Sequence, residues 1–178
     1  MGGWESPIRP SHIPVRDPLI PLPSTDPPMR PSAPLDLQFT RLAHAEGLPV
    51  PSRQTAGAAG YDIVAAEEVQ FGPMERKLVP TGFKIAIPAG YECQIRPRSG
   101  LAWKHGMTLP NTPATIDSDY RGEIQVPMVN LDKEPFTVTR GMRIAQLIFA
   151  RFEVAEFREV PELPPTGRGA GGFGSTGK

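Results

Sequence analysis

Two carboxylates and an aromatic ring lie close together in residues 115–122, which read Thr-Ile-Asp-Ser-Asp-Tyr-Arg-Gly. The residues that follow alternate between apolar and polar side chains, with Ile124 and Val126 on one face. Because a period of two is typical of a half-buried strand, the sequence predicts a β-hairpin with Asp117 and Tyr120 at its tip. Such a tip can hold a small polar ring compound and activate a water molecule. The competing interpretation of Asp117 is an exposed turn acid that accepts backbone hydrogen bonds.

A second set of candidate residues is Arg98, Ser99 and Gly100. They combine a cation, a hydroxyl and the start of a short helix predicted over residues 99–105. This arrangement binds phosphate oxygens through amide groups and the helix dipole. The alternative is that Ser99 only caps the helix.

The composition favours one globular domain with a small phosphorylated ligand. The chain has 178 residues, 39% of them hydrophobic, and its 19 basic side chains balance 19 acidic ones. A neutral chain has no broad basic face, so we expect neither a nucleic acid polymer nor a membrane as partner. No apolar run approaches the roughly 18 residues of a membrane span, and no secretory leader is recognisable, so we expect a cytoplasmic protein.

The single cysteine, Cys93, lies in an alternating run, which predicts a buried structural thiol and fits a reducing compartment. The three histidines, His12, His44 and His105, are too dispersed to form a zinc site of usual spacing.

Composition divides the chain into three segments. Residues 1–34 contain 10 of the 23 prolines and are expected to be a disordered extension, with a ligand for a partner protein as the less favoured reading. Met29 is an alternative translation start. Residues 35–160 are expected to form the folded domain. The glycine-rich residues 161–178 are expected to be a flexible arm that closes over a site, although composition alone favours a simple tail.

Turn residues recur every 8 to 12 residues or so in the middle segment, which predicts an all-β sandwich. The clearest predicted strands are residues 78–80, 83–87, 91–95, 136–138 and 144–149. The apolar density of residues 143–160 leaves a helix there as an alternative.

Five patches taken in order resemble the trimeric deoxyuridine triphosphatases over residues 37–177. They are Ala-Gly-Tyr-Asp-Ile at 59–63, Arg-Pro-Arg-Ser-Gly-Leu-Ala at 96–102, residues 111–122, Gly-Met-Arg-Ile-Ala-Gln-Leu at 141–147, and the glycine-rich residues 168–177. One departure is Ala114, which stands where that family usually has glycine. We expect its methyl group to alter the backbone dihedrals or to crowd the base.

The resemblance implies a jelly-roll-like homotrimer with three active sites at subunit boundaries. The third and fifth patches of a site would come from chains other than the one that supplies the second and fourth. It also implies hydrolysis of dUTP to dUMP and pyrophosphate with Mg²⁺ carried on the triphosphate. That reaction would limit uracil incorporation into DNA and supply dUMP for thymidylate synthesis.

The resemblance further implies residue roles at the base and sugar. Asp117 would be the general base that activates water for attack on the α-phosphorus, and Tyr120 would lie on the deoxyribose and leave no room for a 2′-hydroxyl. Uracil would be read by backbone near Thr115, Ile116 and Gln125 with help from Asn111. Asp119 is expected to form a structural charge pair.

Phosphate contacts are implied for Arg98, Ser99, Gly100 and Gln146, whereas Arg143 is as well suited to a subunit interface. Asp62 is assigned to a water-mediated metal contact or to neighbouring backbone, because it lacks the carboxylate neighbours of a magnesium cage. The closing arm would contribute a cation, a ring, hydroxyls and backbone amides from Arg168, Phe173, Gly174, Ser175 and Thr176.

Two other functions remain open at this point. One is a dCTP deaminase-like enzyme of the same architecture, which places a glutamate against the pyrimidine. The other is a non-catalytic nucleotide-binding trimer that contacts a protein partner through its proline-rich start.

Overall fold

The computed structural model describes residues 34–172. Within that range the chain forms strands, one short α-helix and a single-turn 3₁₀ helix, Ala43–Ala45. The strands are β1 Gln38–Arg41, β2 Tyr61–Val64, β3 Val69–Phe71, β4 Arg76–Pro80, β5 Phe83–Ala86, β6 Tyr91–Pro97, β7 Met107–Thr108, β8 Ala114–Ile116, β9 Gln125–Asn130, β10 Phe136–Val138 and β11 Arg143–Arg151; helix α1 is Ser99–His105.

All strand pairs are antiparallel and form four sheets. The largest has the order β2-β11-β6-β8, and a second has the order β4-β9-β7. The other two are the pairs β1 with β5 and β3 with β10. The all-β prediction is therefore confirmed for the described residues. The expectation for residues 1–34 falls, apart from Pro34, outside them.

Alternating side chains of the central strands build the core. In β9, Val126 and Met128 are fully buried whereas Gln125 is exposed, which confirms the period of two predicted from the sequence. Cys93 on β6 is also fully buried, and burial raises the pKa of its thiol to about 12. The buried position of this thiol confirms the prediction.

The predictions for the last long strand and for the helix are confirmed, except for the residue that caps the helix. Residues 143–151 form strand β11 rather than a helix, and the helix predicted from residue 99 is present as α1. Ser99, however, is the first helical residue and not the cap. Arg98 occupies the N-cap position, and no side chain caps the helix there.

The predicted hairpin forms only at its base. Strands β7 and β9 pair at Met107 with Asn130 and at Thr108 with Val129. The first arm then leaves β9, and β8 pairs with β6 instead. Pro110 and Pro113 lie where the arms part, and proline has no amide hydrogen to continue a ladder. The two arms therefore enclose a gap rather than a tight tip.

In the part of the chain that the structure describes, no helix is long and apolar enough to cross a membrane.

Candidate active site

A cavity of about 280 Å³ occupies the gap between the two hairpin arms. It contains six of the residues predicted to act on base, sugar or water. The lining residues are Leu78, Ile95, Asn111, Ala114, Thr115, Ile116, Asp117, Tyr120, Glu123, Ile124, Gln125 and Pro127.

Two strand edges face this cavity without a backbone partner in the described chain. Strand β8 is the edge strand of its four-stranded sheet and pairs only with β6. Strand β9 pairs with β4 along Gln125–Val129, but β7 covers its other edge only at Val129 and Asn130. Because backbone N–H and C=O groups require partners, these edges offer hydrogen bonds to a polar ligand. The backbone expected to read the base therefore lies at the cavity.

Asp117 follows β8 at the cavity wall and is exposed. Its carbonyl oxygen accepts a hydrogen bond from the Tyr120 amide at 3.2 Å, which folds the segment into a turn. Its carboxylate has no hydrogen-bond or ion-pair partner among residues 34–172. It is thus available to a ligand or a water molecule.

The Tyr120 ring is held at the cavity by its own loop. Its hydroxyl donates to the Glu123 carbonyl oxygen at 3.0 Å, and the ring passes directly over Gly122. A Cβ atom at position 122 would overlap the ring, so glycine is required for this close approach. About half of the Tyr120 surface remains exposed, which leaves a flat face for a ligand.

The structure around Ala114 bears on the expectation that its methyl group alters the backbone dihedrals or crowds the base. Ala114 lies within β8, pairs with Ile95 and does not have a positive φ. The methyl group is buried in the cavity wall and causes no backbone strain. The backbone at Ala114 therefore has an ordinary strand conformation, and crowding of the base remains a prediction.

A second cluster surrounds Asp62, whose side chain is only 3% exposed. Arg143 Nη1 donates to Asp62 Oδ2 at 3.0 Å, and Gln146 Nε2 donates to Oδ1 at 3.1 Å. Arg98 Nε lies 3.7 Å from the same Oδ1, and Arg98 Nη1 donates to the Arg143 carbonyl oxygen at 2.9 Å. A buried carboxylate thus orients two cations and an amide, with Ser99 and Gly100 exposed at the adjacent start of α1.

The cluster has no all-protein magnesium cage. Both Asp62 oxygens already accept hydrogen bonds, and residues 34–172 contain no group of three or more metal-binding side chains. The cations and the amide around Asp62 suit phosphate oxygens, which would carry the magnesium ion to the site. A water-mediated contact from Asp62 remains a prediction.

None of the phosphate candidates lines the cavity of the single chain. In the arm, Arg168 is exposed and donates to the Gly171 carbonyl oxygen at 2.7 Å. Phe173, Gly174, Ser175 and Thr176 lie outside the described residues. Asp119 forms no ion pair within residues 34–172, so the expected charge pair is absent from this part of the chain.

One group near the cavity was not predicted from the sequence. Glu123 Oε1 accepts hydrogen bonds from His44 Nε2 at 2.8 Å and from the Gly82 amide at 2.7 Å. His44 lies 79 positions from Glu123, so no local spacing indicates the contact. The only signal was the polar position of Glu123 in an alternating run.

Comparisons with known proteins agree with this geometry. The dUTPase family model matches residues 46–177. A deoxyuridine 5′-triphosphate nucleotidohydrolase of Rhizobium meliloti (strain 1021) is 56% identical over 155 residues, covering 85% of this chain and 97% of the relative. The enzyme of the same name from Zymomonas mobilis is 55% identical over 143 residues, covering 80% and 98%.

A solved structure of the Staphylococcus bacteriophage 80alpha dUTPase with dUPNHPP is also similar. Its TM-score is 0.73 at 27% identity, and the match covers 80% of this chain and 99% of that one. The similarity confirms the predicted jelly-roll-like fold.

Proposed function

This chain belongs to the dUTPase family and hydrolyses dUTP, and we propose that Asp117 is the general base of the reaction. The observation that carries the proposal is a free carboxylate at the wall of a cavity that also contains an aromatic ring and open strand edges. A water molecule that donates to Asp117 would be oriented and deprotonated for attack on the α-phosphorus, and pyrophosphate would leave. A general base contributes typically about 10² to 10⁴-fold to such a step.

The open edges of β8 and β9 support recognition of uracil. Backbone near Thr115, Ile116 and Gln125 can present both donors and acceptors to the pyrimidine edge, and the Asn111 amide can add to them. With cytosine, a hydrogen-bond donor of the base would face a hydrogen-bond donor of the protein. Each unpaired buried polar group costs about 1 to 3 kcal/mol, so two mismatches produce a large preference.

The Asp62 cluster supports the assignment of phosphate binding. Arg98, Ser99, Gly100 and Gln146 supply a cation, a hydroxyl, the start of a helix and an amide. Asp62 holds two of these side chains in place, which reduces the conformational entropy lost on binding. When bound, Mg²⁺ neutralises charge on the triphosphate.

The position of Glu123 disfavours a dCTP deaminase. Among the described residues that line the cavity, it is the only glutamate. Its Oε1 already accepts hydrogen bonds from His44 and Gly82. A carboxylate fixed in this way is poorly placed to move protons at a pyrimidine base.

We infer that the active site is completed between the subunits of a homotrimer. The cavity and the Asp62 cluster share no residue in one chain, although one reaction requires a base site and a phosphate site. Assembly from different subunits would bring the two together and would make a monomer inactive.

We also propose that residues 161–178 form an arm that closes over the nucleotide, with Arg168 on the γ-phosphate and Phe173 on the uracil. The exposure of Arg168 leaves its cation accessible for this role. Removal of residues 166–178 should abolish turnover and leave the oligomer intact, whereas retained turnover would refute the clamp.

The test of the function is pyrophosphate release from dUTP, dCTP, UTP and dTTP, measured side by side with the Asp117→Asn variant. We expect wild-type activity on dUTP alone, and a variant that folds and binds dUTP but loses about 10² to 10⁴-fold in kcat. Ammonia release from dCTP would favour the deaminase. An Asp117→Asn variant with wild-type kcat would contradict the assignment of the base.

A further inference from the structure

Tyr120, the residue proposed to lie on the sugar, is held by the backbone of Glu123. Its hydroxyl donates to the Glu123 carbonyl oxygen at 3.0 Å. The position of the ring over the cavity therefore depends on where residue 123 is fixed.

The Glu123 side chain is fixed from outside the cavity loop. Its Oε1 accepts from His44 Nε2 at 2.8 Å and from the Gly82 amide at 2.7 Å. An ionised carboxylate only accepts hydrogen bonds, so Nε2 carries the hydrogen in this contact. The Glu123 side chain is 17% exposed, which protects the contact from competing water.

His44 itself lies on a turn that is well anchored. Arg140 Nη2 donates to the carbonyl oxygens of His44 at 3.3 Å and of Glu46 at 2.7 Å. Gly82, with φ +71°, packs so closely on Ala45 that a Cβ atom at position 82 would overlap it. The 3₁₀ turn is thus a rigid support for the histidine.

We propose that His44 and Glu123 form a positioning pair that sets the height of the Tyr120 ring over the sugar and thereby the selectivity for deoxyribonucleotides over ribonucleotides. Neither side chain reacts with substrate. The pair acts through the Glu123 backbone, because a small displacement of the ring would admit a 2′-hydroxyl. The inference rests on the proposed role of Tyr120.

The experiment measures kcat/KM for dUTP and for UTP in His44→Ala and Glu123→Ala, with kcat for dUTP and the thermal midpoint recorded in parallel. We expect the dUTP to UTP ratio to fall about three- to tenfold in both variants, while kcat for dUTP stays near the wild-type value in His44→Ala. We expect no larger fall in the ratio because the next residue, Ile124, also holds this part of the backbone. Its carbonyl oxygen accepts from the Thr81 hydroxyl at 2.6 Å, and its amide donates to the Phe83 carbonyl oxygen at 2.8 Å.

Conservative variants separate positioning from simple destabilisation. His44→Gln retains a donor and Glu123→Gln retains the accepting oxygen, so each should recover most of the selectivity. Tyr91→Phe is the matched control, because it removes one hydrogen bond, from Arg151 Nε at 2.9 Å, on strand β6. It should leave the ratio unchanged.

The outcomes distinguish the role of the His44–Glu123 pair from the role of Tyr120 on the sugar. If Tyr120→Ala lowers the ratio but His44→Ala and Glu123→Ala do not, the positioning pair is refuted and the sugar role of Tyr120 stands. If Tyr120→Ala leaves the ratio unchanged, the sugar role fails and the positioning pair fails with it. Equal losses for dUTP and UTP that follow the thermal midpoint would show a purely structural contact.

Discussion

Two aspartates of this chain have opposite surroundings. Asp62 is buried, and its oxygens accept hydrogen bonds from Arg143 and Gln146 with Arg98 close by. Asp117 is exposed beside a cavity, and its carboxylate has no partner among residues 34–172. Both belong to patches that the resemblance assigns to one active site.

The difference shows how one residue type serves two purposes. A buried carboxylate whose two oxygens both accept hydrogen bonds keeps the donors around it in fixed positions. A solvated carboxylate with free oxygens can orient water and take a proton. Asp62 is therefore suited to hold its neighbours in place, and Asp117 is suited to the proposed role of general base.

The largest expected effect on stability comes from Asp62→Asn, which places an amide among two guanidinium groups. We expect the free energy of unfolding to fall by about 2 to 3 kcal/mol, below the range for a fully buried pair because Arg143 is 43% exposed. Chemical denaturation measures this loss. The matched control is Glu75→Gln, which breaks the exposed pair with Lys77 and should lower the stability much less. Equal costs in the two variants would show that Asp62 does not hold the cluster.

A second prediction concerns the cavity and not the cluster. Gly122→Ala introduces a Cβ atom where the Tyr120 ring lies, so the ring must move. We expect KM for dUTP to rise several-fold and stability to fall by about 1 to 3 kcal/mol, as for other overpacking changes. Steady-state kinetics and thermal unfolding check both effects. An unchanged KM would mean that the Tyr120 position is irrelevant to binding.

The effect that is smallest near neutral pH concerns ionisation of Cys93, which pairs with Ile116 across β6 and β8, one residue before Asp117. Burial raises its pKa from 9.0 to about 12, and unlike Asp62 it has no cation beside it. The unfolded chain loses the thiol proton above about pH 9 whereas the folded chain keeps it. This contribution to stability is therefore fully present below pH 9 and is lost as the pH rises towards 12.

The loss should not exceed about 1.4 kcal/mol per pH unit. Denaturant unfolding of wild type and Cys93→Ala between pH 8 and 11 isolates it, because other groups titrate alike in both proteins. Parallel pH dependences in the two proteins would show that Cys93 contributes nothing.

Local sequence patterns were sufficient to predict most of the main strands and the helix. The alternation around Val126 and the punctuation by glycine and proline predicted the main strands, and the helix from Ser99 was predicted correctly. The divergence of the hairpin arms could not be predicted in the same way, because the pairing of β8 with β6 depends on tertiary packing and not on local propensity.

Some features of the candidate site could be predicted from the sequence, and others depend on contacts between distant residues. Asp117 and Tyr120 were identified from their types and spacing together with the resemblance. The His44 contact was missed because it joins residues 79 positions apart. The hydrogen bonds to Asp62 from Arg143 and Gln146 were missed because a sequence does not show which donors surround a buried acid.

The central claim is that the cavity and the Asp62 cluster serve one reaction although no cluster residue lines the cavity within a chain. The most direct measurement co-expresses Asp117→Asn and Arg98→Ala chains with different tags and assays the mixed oligomers purified on both tags. If sites combine Asp117 of one subunit with Arg98 of another, each mixed trimer has one site in which both residues are intact, so the two inactive variants together should recover about a third of wild-type turnover. Mixed oligomers that stay as inactive as each parent would contradict the claim.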